Sequence, residues 1–176
     1  MKISQEKIID TAVKIADEKG LPNLTLREIA ADLQIKTPSL YNHIQSLDEV
    51  YDLIAQRGLR RLTEEVTDAA LGPSGKSALY AMARTYRTFA SQNPSLYVST
   101  QWVSAWQSAA TKQTADRLIQ VFIKVLQPFG FSHEKNIQLI RVLRSYLHGF
   151  ALLHFEMNID VDASFEYGLS LLIEGI

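Results

Sequence analysis

Residues Thr25 to Ile44, TLREIAADLQIKTPSLYNHI, constrain the fold more than any other stretch of the chain. They predict two short helices joined by a tight turn. Thr25 precedes Glu28 by three positions, the spacing of a capping box in which side chains satisfy free N–H groups at a helix start. Leu26, Ile29, Ala30 and Leu33 follow at i, i+3, i+4 and i+7, one apolar stripe for burial. Thr37 before Pro38 predicts a second cap, because proline suits the first helical position, where no N–H is needed. In that second helix Leu40 and Ile44 lie one turn apart and point together toward the partner helix. Asn42 points outward with Pro38 and Ser39 beside it, and Tyr41 and His43 take the flanks. So short a helix is not stable alone. Braced by a partner and polar on its free side, it suits a DNA major groove, with Asn42 toward an adenine edge and Tyr41 and His43 toward phosphates. An ordinary solvated hairpin would show the same polar face; only the flanking helices favour DNA.

Those flanks are predicted helices too. From Ser4 to Lys19, Ile8, Ala12 and Ile15 form one stripe and Ile9, Val13 and Ala16 another, with Gly20 as the stop. Ser46 and Glu49 make a further capping box, opening a long helix through Leu47, Val50, Tyr51 and Ile54 toward Leu71. In this order and spacing the chain resembles the tetracycline-repressor-type (TetR) family of bacterial transcription regulators. The resemblance is carried by Thr25, Arg27, Ile29, Ala30, Leu33, Ile35, Pro38, Leu40, Tyr41 and His43. A second stretch, SYLHGFALLHFEMNIDVDASFEYGLSLL, resembles the C-terminal region of one TetR subgroup, with Leu147-His148-Gly149 where that subgroup often has Trp-His-Gly. Two positions depart from the pattern. Gln34 stands where the turn usually carries Gly, and because a side chain at positive φ is strained, a slightly different turn backbone is expected. Leu47 stands near the place where relatives commonly put a phosphate-contacting Lys, so no such contact is carried over.

Beyond the motif no strand-type alternation persists. Breaks fall at Leu71-Gly72-Pro73-Ser74-Gly75, at Gln92-Asn93-Pro94 with Asn93 as a cap, and at Pro128-Phe129-Gly130 before a Ser132 cap. The expected fold class is therefore all-α with about nine helices. Residues 1–46 would form a three-helix helix-turn-helix DNA-binding domain, 47–71 a connecting helix, and 72–176 a helical effector-binding and dimerisation domain.

Charge helps this reading little. The chain carries −1 overall, and its first 50 residues hold six Lys/Arg against eight Asp/Glu. Lys2 and Lys7 near the first helix start, with Arg27 and Lys36 around the motif, leave room for a local positive face. Few phosphate contacts are expected, with a salt slope of roughly −0.9 for each. The composition, 47% hydrophobic and 21% charged in 176 residues, is that of a globular chain with enough length for a core. The absence of cysteine removes disulfides and thiolate metal sites and fits a reducing cytoplasm. MKISQEK has no signal-type apolar run, and the uncharged Thr88–Thr111 stretch is too interrupted by polar residues to span a membrane.

The last two helices are apolar on more than one face. Ile140, Leu143, Leu147 and Phe150 define one, Leu139, Val142, Tyr146 and Leu153 another, and Phe165, Leu169, Leu172 and Ile176 repeat at 4-3-4 spacing beside Gly168. A surface helix needs only one stripe. Two suggest a core plus a partner copy, although a helix central to its own domain would bury both unaided. The family resemblance implies dimerisation here, with Leu143, Leu147, Phe165, Leu169 and Leu172 as the candidate interface. It also implies a small-molecule effector, for which Tyr86, Phe89, Trp102, Trp106, Phe122, His148 and Phe150 are candidates, Trp102 and Trp106 sharing a face if their helix is unbroken. Core filling by aromatics, and a satisfied core histidine at 148, explain the same residues.

No HExxH, phosphate-cradling glycine loop or nucleophile elbow is present, and His148 and His154 lie about 240° apart on a helix, so no enzyme, metal or cofactor is expected. The resemblance implies a ligand-responsive homodimeric repressor, cytoplasmic and off the membrane, on a near-palindromic operator. Its DNA contacts would come from Thr25, Arg27, Lys36, Thr37, Pro38, Ser39, Tyr41, Asn42 and His43. The alternative, a helical dimeric protein-interaction module without DNA binding, would not need residues 37–43 exposed and polar.

Overall fold

A computed structural model describes residues 3–153 and 160–176. Lys2, His154 and the tail of the last-but-one apolar segment through Met157 lie outside the described residues. Among those described, the chain forms nine α-helices and no strand. They are α1 (Gln5–Lys19), α2 (Leu26–Asp32), α3 (Thr37–Leu40), α4 (Leu47–Ala69), α5 (Gly75–Gln92), α6 (Pro94–Gln101), α7 (Ala109–Leu126), α8 (His133–Leu152) and α9 (Val161–Glu174). None is long and apolar enough to cross a membrane.

The chain divides into two compact units, neither continuous in sequence. Residues 1–61 and 92–116 form the first; 62–91 and 117–176 form the second.

Local signals set most helix starts. Ser4 accepts the Lys7 N–H at 3.3 Å, Ser46 the Glu49 N–H at 3.1 Å and Ser132 the Lys135 N–H at 3.2 Å. The Glu49 carboxylate reaches back to the Gln45 N–H. Asn93 precedes α6 as expected, but its side chain does not cap the helix; its Oδ1 accepts from Arg61 at 3.0 Å instead. In the first unit Ile8, Ala12, Ile29, Leu40, Val50 and Ile54 make a core with essentially no exposure.

In the second unit α9 runs along both α5 and α8. A polar seam joins α5 to α9: Lys76 and Tyr80 meet Glu174, Arg84 grips Glu166 through two bonds of 2.8 and 2.7 Å, and Arg87 pairs with Asp162 at 2.6 Å. The Arg84 guanidinium holds the Glu166 carboxyl below the usual range. These pairs are exposed and each contributes little, but their order fixes the register of α9 on α5. Against α8, Tyr146 stacks on Phe165 with ring centres 5.7 Å apart and donates its hydroxyl to the Phe165 carbonyl at 2.6 Å. Gly168 makes that approach possible, since a Cβ there would lie 2.6 Å from the Tyr146 hydroxyl.

This packing places most of the candidate interface residues inside the protomer. Leu143, Leu147, Phe165 and Leu169 are all buried within the protomer, Leu169 completely, and Leu172 is half-buried. Leu143 and Leu172 line an apolar crevice with Leu79 of α5 and Phe122 of α7, and Phe165 meets Tyr146 of α8 and Arg87 of α5. The large apolar side chains that α8 and α9 leave exposed are Val142, Leu152, Tyr167 and Leu171, at 52%, 43%, 68% and 61%.

Candidate DNA-reading surface

The reading segment is built from its caps inward. The Thr25 hydroxyl accepts the Glu28 N–H at 3.3 Å and donates to the Glu28 carboxylate at 2.8 Å, so the capping box is closed. Lys19 also binds that carboxylate, and with Thr25 it holds the Glu28 acid below its ordinary range. Ile29, Ala30 and Leu33 are buried as the stripe requires.

Gln34 then adopts φ +56°, alone among the described non-glycine residues in being positive. The expectation of an altered turn does not hold. Ile35 N–H bonds the Ala30 carbonyl at 2.9 Å and Gln34 N–H the Ala31 carbonyl at 3.1 Å, the pair of bonds that closes a helix in a Schellman motif. Two satisfied carbonyls and a half-buried Ile35 outweigh the strain of a left-handed side chain.

The second helix is shorter than its sequence suggests. α3 ends at Leu40, and residues 41–43 continue as turn, although Ile44 N–H still bonds the Leu40 carbonyl at 3.1 Å. The cap also shifts by one residue. Lys36 occupies the N-cap position with extended backbone, Thr37 lies inside the helix, and no side chain caps it. Pro38 stands in the first turn as expected, and the short helix relies on packing. Leu40 and Ile44 are buried at 0% and 2%, whereas Pro38, Ser39, Tyr41, Asn42 and His43 are exposed and Thr37 is half-buried. Arg27 and Lys36 are exposed beside them. A helix end is thus nailed down by two aliphatic side chains while a contiguous run of hydroxyl, amide, phenol and imidazole groups faces solvent. Thr25 differs from the rest of the candidate set, because its hydroxyl is already engaged by Glu28.

One contributor had no signal in the sequence. The Gln5 side-chain amide donates to the His43 carbonyl at 3.3 Å, tying the exit of the reading segment to the first turn of α1. The pair is separated by 38 positions, beyond the reach of any periodicity.

The candidate effector residues are divided between the two units. Trp102 and Trp106 belong to the first unit, the other five to the second. Nor do the two tryptophans share a helix face: α6 stops at Gln101, and a 3-10 turn, Val103–Ala105, separates them. Trp102 lies against Tyr51 with ring centres 5.2 Å apart, and the Trp106 N–H donates to the Ser99 carbonyl at 3.3 Å. In the second unit Tyr86, Phe89 and Phe122 are buried core residues. Phe150 and His148 are half-buried, and burial followed by the nearby Arg144 charge lowers the imidazole's pKa, favouring its neutral form. Phe122 also lines a narrow apolar crevice with Leu79, Leu126, Leu139, Leu143 and Leu172, holding about 30 Å³ of open space. That is a small fraction of a typical ligand site.

Comparison with known proteins now places the chain. Residues 8–52 match the family model described as bacterial regulatory proteins, tetR family, and residues 79–172 match that of the tetracyclin repressor-like C-terminal domain. The chain belongs to the TetR family. It is accordingly a ligand-responsive DNA-binding transcriptional regulator of the helix-turn-helix type. The HTH-type transcriptional regulator YobS of Bacillus subtilis is 31% identical over 179 residues, spanning 99% of this chain and 93% of its own length. Solved TetR-like folds agree. A possible TetR family regulator from Streptomyces coelicolor superposes with a TM-score of 0.74 at 18% identity, covering 97% of each chain. A Rhodococcus protein of unknown function reaches 0.84 at 16% identity, covering 98% of this chain and 94% of that one.

Proposed function

We propose that this TetR-family chain is a repressor that binds a near-palindromic operator as a homodimer in the cytoplasm and lets go when a small molecule enters its second unit. The observation that carries the DNA assignment is the division of labour in residues 37–44. Leu40 and Ile44 are buried, while Pro38, Ser39, Tyr41, Asn42 and His43 form an uninterrupted exposed edge. Asn42 is assigned to a base edge, Tyr41, His43, Thr37 and Ser39 to phosphates or flanking bases, and Lys36 and Arg27 to the backbone. Thr25 contributes by capping α2. Two copies related by a two-fold axis would set their reading helices about 34–36 Å apart, or a multiple of that.

The dimer surface is assigned to the exposed face of α8 and α9 around Val142, Tyr167 and Leu171. The effector is assigned to the aromatic region of Tyr86, Phe89, Phe122, His148 and Phe150, and the crevice that Phe122 lines must widen to admit it. Release needs a ligand that prefers the freed conformation. A hundredfold preference corresponds to roughly 2.7 kcal/mol, delivered through α4 to the spacing of the two reading helices.

The test is selection of bound duplexes from random DNA by the full chain. Tyr41→Ala and Asn42→Ala are expected to weaken binding to the selected duplex at least tenfold with helicity unchanged. Equal binding by both variants, or no selected duplex at all, overturns the assignment.

A further inference from the structure

Asp52 takes no part in the reading surface, yet its side chain is buried, at 5% exposure, on the second turn of α4. Its Oδ1 accepts the backbone N–H of Gln107 at 2.8 Å and of Ser108 at 3.3 Å. Its main-chain carbonyl accepts the hydroxyl of Thr111 at 3.5 Å. Thr111 is fully buried and lies 2.9 Å, hydroxyl to hydroxyl, from Ser108, whose Oγ caps the new helix by accepting the Thr111 N–H at 3.1 Å. A carboxylate on α4 therefore organises the turn from which α7 starts. Burying a charge is unfavourable unless donors replace water, and two amides do so here.

The neighbouring residue reaches the other way. Tyr51 donates its hydroxyl to the Leu24 carbonyl at 3.3 Å, just before α2, and sets its ring against Trp102. One turn of α4 thus holds both the entrance to the reading segment and the far end of residues 92–116. The near end of that segment is held as firmly. Asp17 of α1 accepts the Ser95 N–H at 3.1 Å, and Gly58 lets α6 approach so closely that a Cβ would lie 2.6 Å from the Leu96 carbonyl. From its tethered start α7 runs on into the second unit, where Phe122 and Leu126 are buried.

We propose that Asp52 is a positioning residue: by holding the 106–108 turn on α4, it makes the state of the α6–α7 segment and the DNA affinity of the reading helix one coupled equilibrium. This rests on the assignment of α3 to DNA. Coupling is reciprocal, so a duplex bound at α3 must alter the segment as surely as the segment alters DNA affinity. Trp102 and Trp106 are the chain's two tryptophans, and both lie in this segment, so tryptophan emission reports on it.

The full chain, Asp52→Asn and Asp52→Ala are titrated with the duplex obtained by selection, following tryptophan emission and hydrogen exchange at the Gln107 and Ser108 amides. In the unaltered protein the duplex is expected to shift emission and slow exchange at least fivefold. In Asp52→Ala both responses disappear while the duplex is still bound, with affinity lowered less than tenfold; Asp52→Asn, which keeps a neutral acceptor, retains part of each. Responses in Asp52→Ala equal to those of the unaltered protein overturn the proposal, as does an unaltered protein that binds the duplex without either response. Loss of helicity in both variants also overturns it, by making Asp52 a residue of the fold alone. If α3 does not bind DNA, the selection step itself fails, before any variant is compared.

Discussion

The segment 25–44 and the α8–α9 pair use helices in opposite ways. The first is two short helices with one apolar stripe each, so its inner and outer faces are unambiguous. The second is two long helices with apolar residues on several faces, and only one of those faces can meet the protomer's own core. Polar residues on a braced helix declare that they face outward. Apolar residues do not declare which neighbour they were selected to meet.

The contrast between Leu169 and Leu171 offers the sharpest way to break this account. Leu169→Arg places a charge where exposure is zero and is expected to cost on the order of 4 kcal/mol or more, lowering Tm by roughly 10 °C or abolishing cooperative melting. Leu171→Arg, at 61% exposure, is expected to preserve helicity while yielding monomers in sedimentation. A dimer that survives Leu171→Arg moves the interface off this face; a stable Leu169→Arg protein would take Leu169 out of the core.

A smaller effect probes the other side of the comparison. Gln34→Gly removes the strain of a left-handed side chain while leaving the Schellman bonds in place. A gain of about 0.5–1 kcal/mol in stability is expected, since relief of the strain exceeds glycine's added freedom when unfolded. Calorimetry that finds a loss would show the Gln34 side chain supplying a contact beyond its backbone.

The smallest effect is electrostatic. Because Lys19, then Thr25, lowers the Glu28 pKa on folding, the carboxylate's contribution is complete above the ordinary glutamate range and fades as pH falls below roughly 4.3. Glu28→Gln keeps a capping-box side chain but no charge, so its melting temperature should vary less with acid over that window, and the difference should shrink in molar salt. Identical acid profiles for the two proteins would remove Glu28 from the account.

Much of the reading segment was legible because its signals are local. Thr25 and Glu28, Pro38, and the Leu40–Ile44 pair each act within a turn or two, and the structure honours them. The one-residue shift of the α3 cap and the retained left-handed turn at Gln34 are local too, but each is decided by packing that outweighs a preference of about a kcal/mol. The end of α6 was not legible: QWVSAWQS contains neither Gly nor Pro, and it is anchors from distant Asp52 and Tyr51 that draw it out of helix. Likewise nothing in the spacing of Leu143, Leu147, Phe165 and Leu169 told core from interface. The contacts that orient α9 within the protomer, Tyr146 with Phe165 and Arg84 with Glu166, join residues 19 and 82 positions apart.

The interrupted make-up of the first unit bears on attempts to exchange specificities among relatives. A chimera joined at a single point after residue 61 would set one parent's residues 92–116 against another parent's α1 and α4, where Asp17, Asp52 and Gly58 demand matching shapes. A transplant that keeps its grip on DNA must therefore carry two separate pieces of chain.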